Sequence, residues 1–132
     1  MTRLRAGLVG AGGVLFAVSL FAPALRLSSP VSGLGVVHRG LDYALSILHA
    51  PPSVRSIAIS LFVLLALSGN VSLPAAAVIG GRAARRVAFG VAACGLGLAI
   101  YVEFRTPLDL CWGAGVWLIG GAALLASHFI DR

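Results

Sequence analysis

His38, Asp42 and His49 are the side chains whose types and spacing come nearest to a reactive group in this sequence. On a helix, at 100° per residue, the three fall within about 40° of one another. A histidine and an aspartate one turn apart can share a transition metal, or the carboxylate can orient the imidazole. Glu103 and Asp109 fall on the same side of the molecule in the topology derived below, which would add two more ligands. No His-x-x-x-His spacing accompanies them, and the same residues would equally make up the polar face of an amphipathic helix. The sequence favours that polar face and leaves metal binding as the sharper alternative.

The second candidate is Asn70, with Ser68 and Ser72 beside it, in the middle of a long apolar run. Counted from Ser56 at 1.5 Å per residue, Asn70 lies about 21 Å along a helix, near the centre of a bilayer of ordinary thickness. A polar side chain at that depth needs a partner, and such residues either line a substrate path or hydrogen-bond to a neighbouring helix. The interhelical bond is the expectation. No phosphate-binding loop, nucleophile elbow, His-Glu-x-x-His motif or internal repeat is present. Cys94 and Cys111 are predicted at different depths and in no Cys-x-x-Cys pair, so buried structural thiols are expected. No cofactor is expected.

The elements that must position these residues follow from composition. Of 132 residues, 59% are hydrophobic and only 11% charged, against roughly half and a quarter in soluble domains. A soluble fold of this size cannot bury so much apolar surface. The composition excludes an ordinary soluble domain, a disordered chain and a nucleic-acid-binding module, even though the net charge is +6. It indicates an all-α integral membrane protein, a single membrane domain over residues 1–132.

A spanning helix needs about 20 mostly apolar residues, and the arginines divide the chain into four such runs. These are predicted at about 6–25, 56–81, 85–102 and 110–130. The second is long, and Pro74 predicts a kink near Asn70. Between the first two spans, Leu34, Val37, Leu41, Ala44, Leu45 and Leu48 recur at helical spacing, which predicts an interfacial amphipathic helix over 34–49. Ala22-Pro23-Ala24 also fits a signal-peptidase site, but the apolar run before it is longer than a usual signal core, so an uncleaved helix is expected.

Arg3, Arg5, Arg82, Arg85, Arg86 and Arg132 fall on one side of such a bundle, and Arg26, Arg39, Arg55 and Arg105 on the other. The tight Arg82–Arg86 cluster predicts that both termini are cytoplasmic. Small residues are dense, and the pairs Gly7/Ala11 and Ala93/Gly97, together with Gly120, are candidates for close helix packing. They would act within the bundle or between copies.

The run Ser19-Leu20-Phe21-Ala22-Pro23-Ala24-Leu25 after a glycine-rich first helix resembles the start of small four-helix bacterial inner-membrane proteins of unknown function. Gly69-Asn70 followed by Pro74, and the tryptophan-containing final helix from Cys111 to Ala126, are similar to theirs as well. The resemblance implies the fold and a bacterial inner membrane, and no activity. The expected function is therefore non-catalytic, that of an accessory, assembly or immunity-type subunit acting through helix–helix contacts. A homo-oligomeric pathway for a small solute or lipid, lined by Asn70, is the alternative. Expected partners are the lipid bilayer and another membrane protein or a second copy of the chain, and no nucleic acid.

Overall fold

The computed structural model describes residues 2–26, 29–49, 53–105 and 109–130, with backbone only at 25, 47, 48, 102–105, 109 and 110. Helix α1 (Arg3–Phe21) leads into strand β1 (Pro23–Arg26), strand β2 (Pro30–Ser32) and helix α2 (Gly33–Leu45), which ends in a 3-10 turn over Ser46–His49. Helices α3 (Val54–Ile79) and α4 (Gly81–Arg105) follow, then strand β3 (Asp109–Leu110), helix α5 (Trp112–Ala126) and a final 3-10 turn over Ser127–Phe129. Helices α1, α3, α4 and α5, the last together with its 3-10 turn over Trp112–Phe129, are each long and apolar enough to cross a membrane.

The ends of the helices have local causes. Thr2 caps α1 by accepting from the Arg5 N–H at 3.3 Å. The helix stops at Phe21, four residues short of the predicted boundary, because Pro23 disfavours helical backbone at Ala22, which is extended at φ −78° and ψ 151°. Ser53 and Ser56 form a reciprocal capping box at the start of α3. Gly80, at φ +73°, ends α3, and Gly81, at φ +89°, turns the chain directly into α4; both need the left-handed freedom of glycine. Helix α3 runs as one helix through Pro74 and spans about 39 Å at 1.5 Å per residue, so a tilted crossing fits a core of about 30 Å.

The prediction that the last span opens at Leu110 is corrected. Asp109 and Leu110 belong to a three-stranded antiparallel sheet of order β2-β1-β3, and the helix starts at Trp112. β1 pairs Leu25 with Val31 on one side and Leu25 with Leu110 on the other. The Cys111 N–H donates to the Ala24 carbonyl at 2.9 Å and the Gly33 N–H to the Ala22 carbonyl at 3.0 Å, which fixes the sheet to the starts of α5 and α2.

The helices pack as two pairs. The terminal helices α1 and α5 lie together, and α3 and α4 form a hairpin, with lighter contact between the pairs. Helix α2 packs on α3. Only part of the predicted stripe turns inward: Ala44 is buried, Val37 is half-buried, and a Cβ at Gly40 would meet Leu67 at 3.0 Å, whereas Leu34, Leu41 and Leu45 are exposed. Small residues let α2 approach α3 closely, and that outweighs the larger apolar side chains in setting its rotation. The helix expected over 34–49 is present as α2, packed on α3, and ends at Leu45.

The buried core gathers Phe16 of α1, Leu73, Ala76 and Ala77 of α3, Ala88 and Val91 of α4, and Leu124 of α5. It lies between mid-depth and the end where the arginines Arg5 and Arg85 sit. The opposite end carries the sheet.

Candidate functional site

Asn70 sits at the junction of the two helix pairs. Its Oδ1 accepts a hydrogen bond from Nε1 of Trp117 at 2.9 Å, and its Nδ2 donates to the Leu67 carbonyl at 3.1 Å. The first bond ties α3 to α5 across 47 positions of sequence. In a membrane such bonds contribute about 0.6–2 kcal/mol each. Trp117 also packs on Phe16, with ring centroids 5.6 Å apart and planes at 31°. Ser68 is exposed and returns its hydroxyl proton to the Leu65 carbonyl of its own helix at 2.7 Å. Ser72 is half-buried, and its Oγ is buried with no hydrogen-bond partner.

Asn70 and Trp117 form the floor of a half-open cavity of about 180 Å³ on the sheet side of the core. Ser19 and Leu20 of α1, Val36 and Val37 of α2, Ala66 and Leu67 of α3, Leu98 and Ala99 of α4, and Ala114 of α5 contribute to its walls. The lining is almost wholly apolar. Ser19 does not change that, because its hydroxyl donates to the Phe16 carbonyl at 2.6 Å.

Glycines shape this space by forcing close approaches. A Cβ at Gly33 would run into the Ser19 carbonyl oxygen, and one at Gly113 would lie 2.6 Å from the Pro23 carbonyl oxygen. A Cβ at Gly95 would meet the Trp117 ring edge at 2.9 Å. These approaches hold α2 against α1, β1 against α5 and α4 against Trp117 of α5 around the cavity.

In comparison with protein families, curated proteins and solved structures, no match to the chain emerges. The site is read from its own chemistry.

Outside the cavity, His38 Nδ1 and Asp42 Oδ2 lie 3.2 Å apart as an i, i+4 pair, with side chains 78% and 67% exposed. Exposed pairs of this kind are worth little. His49 lies beyond α2 in the 3-10 turn and is exposed. Among the described residues, no three His, Cys, Asp or Glu side chains come together as a metal site. The side chains of Glu103 and Asp109 lie outside the described residues. Cys94 and Cys111 are both half-buried, and neither forms a disulfide with the other.

The small-residue candidates divide by face. Gly120 packs inward: a Cβ there would lie 3.0 Å from Phe16 and 3.1 Å from the Gly12 carbonyl oxygen. Its counterpart on α1 is Gly12, where a Cβ would meet Leu124 at 2.9 Å, and not Gly7 or Ala11. Gly7 and Ala11 are exposed, and nothing lies within 4 Å of a Cβ built at Gly7. Gly97 faces the Phe62 ring at 3.0 Å, while Ala93 is exposed.

Two of the arginines that mark one side of the bundle turn inward. Buried Arg5 donates from Nη2 to the Ala77 carbonyl at 3.0 Å, and Arg85 donates from Nη2 to the His128 carbonyl at 2.9 Å. Each satisfies a carbonyl in the last turn of a neighbouring chain segment, where a cation also complements the helix dipole. Sequence carried no signal for this, because it depends on which helix end lies beside which.

Proposed function

We propose that this chain is a non-catalytic multi-pass protein of the bacterial inner membrane, an accessory, assembly or immunity-type subunit that works through helix–helix contacts. The observation that carries the reading is the outer face of α1. Gly7, Gly10 and Ala11 are exposed there, and a Cβ on either glycine would meet nothing within 4 Å. The opposite face, at Gly12, is already engaged against α5. A helix that leaves a flat glycine surface toward lipid offers a second transmembrane helix the close backbone approach that stabilises membrane helix pairs. The partner is another membrane protein or a second copy of the chain. Both termini are cytoplasmic, placed by Arg82, Arg85 and Arg86 at that end. Helix α2 lies on the opposite side near the lipid boundary, with Leu34, Leu41 and Tyr43 outward.

The second reading, a homo-oligomeric pathway for a small solute or lipid, draws on the cavity beside Asn70. Against it, the Asn70 amide is engaged with Trp117 and Leu67. The packed core of Phe16, Leu73 and Leu124 also lies between the cavity and the arginine end.

Affinity capture from native membranes separates the two. Wild type should bring down a stoichiometric partner or a second copy, and Gly10→Ile, which meets no neighbour inside the molecule, should lose it while folding normally. Loss of a conductance or uptake in Asn70→Leu, with folding and partner capture intact, would establish the pathway instead.

A further inference from the structure

We propose that the cavity at the sheet end is a binding site for one acyl chain of a bilayer lipid. The inference rests on the four helices lying in a membrane and not on the identity of any protein partner.

Three observations identify the occupant. First, most of the wall comes from the apolar helices: Ala66, Leu67, Leu98 and Ala99 lie inside the stretches of α3 and α4 long enough to span the bilayer, with Val36 and Val37 of α2 beside them. The fluid that reaches a half-open space at that depth is hydrocarbon. Second, the chemistry of the lining selects an apolar chain. Its carboxamide, Asn70, already bonds to Trp117 and Leu67, and its hydroxyl, Ser19, already bonds to Phe16, so no lining side chain is left to orient a polar solute. Third, the volume is adequate. An apolar cavity of about 150 Å³ in a soluble protein takes up a benzene-sized guest, and this one is about 180 Å³. Hydrocarbon in that space supplies dispersion contacts that the lining atoms otherwise lack.

Trp117 on the cavity floor supplies the test. In Trp112→Phe protein it is the sole tryptophan, because the chain has two. This variant is reconstituted into phosphatidylcholine vesicles with bromine placed midway along the acyl chain. A single site that takes brominated and plain chains alike fills in proportion to their mole fraction, so the expected result is quenching of Trp117 emission that rises linearly with brominated lipid. Adding Ala99→Leu or Ala114→Leu should remove this quenching, with helicity unchanged by circular dichroism. Quenching that plateaus at a low brominated fraction, the mark of many interchangeable surrounding lipids, would overturn the proposal, and it needs no folded cavity variant to be seen. So would quenching that survives both filling substitutions. So would a Trp117 shielded in protein-rich vesicles and unshielded on dilution, which would assign the space to a second copy. Partner capture is scored separately, so this failure is distinguishable from failure of the helix-contact reading.

Discussion

Glycine packs the two halves of this bundle in opposite senses. Toward the arginine end, Gly12 and Gly120 face each other across α1 and α5, nothing intervenes, and Phe16 and Leu124 close over them into a buried core. Toward the sheet end, Gly33 and Gly113 face main-chain carbonyls of Ser19 and Pro23, and Gly95 faces the edge of Trp117. There the glycines seat α2 on α1, β1 on α5 and α4 on the Trp117 ring, around a cavity of about 180 Å³. A small residue therefore indicates close approach, but what approaches decides whether a bundle closes or opens. The Asn70–Trp117 hydrogen bond marks the boundary between the two regimes.

Substitutions can break this comparison, and the largest effect is expected where backbone meets backbone. Gly33→Val places side-chain atoms into the Ser19 carbonyl, and neither partner can yield without moving α2 or α1. A loss exceeding about 3 kcal/mol is expected, at the upper end for overpacking, read as failure to refold from denaturing detergent. Gly7→Val, on the open face, should leave refolding unchanged.

Truncation should next separate core from cavity. Leu124→Ala removes a side chain 1% exposed and should cost about 2–5 kcal/mol, the range for buried leucines. Leu98→Ala only widens an existing space and should cost less than about 1.5 kcal/mol by the same unfolding assay. Equal costs would mean that the two halves are packed alike.

The smallest effect belongs to α2. His38→Ala removes an exposed ion pair and should shift stability by no more than about 0.5 kcal/mol, less at high salt. Zinc retained by the purified wild type and lost in His38→Ala would show a metal site instead.

The division between what sequence showed and what it hid has physical causes. The four spans were legible because apolar runs of bilayer length stand between arginines, and the structure places them with shifts of a few residues. The sheet was not: strands of two to four residues carry no periodicity, and Pro23 and Pro30 read only as breaks. Facing was hidden too. A helix apolar all round has almost no directional pattern, so nothing distinguished inward Gly12 from outward Gly7. Helix α2 did carry a pattern, but of its stripe Val37 and Ala44 turn inward while Leu34, Leu41 and Leu45 do not, because Gly40, which counts little on any hydrophobic scale, sets a close approach to Leu67. For Asn70, its depth and need for a partner could be read, whereas Trp117 could not be named without the relative height of α3 and α5.

The central claim is that Asn70 joins helices and does not line a route for a substrate. A double-mutant cycle of Asn70→Leu and Trp117→Phe, followed by unfolding in detergent, tests it most directly. A coupling energy of about 0.6–1.7 kcal/mol between the two positions is expected, the range for hydrogen bonds between membrane helices. Additive single effects with no coupling would contradict it.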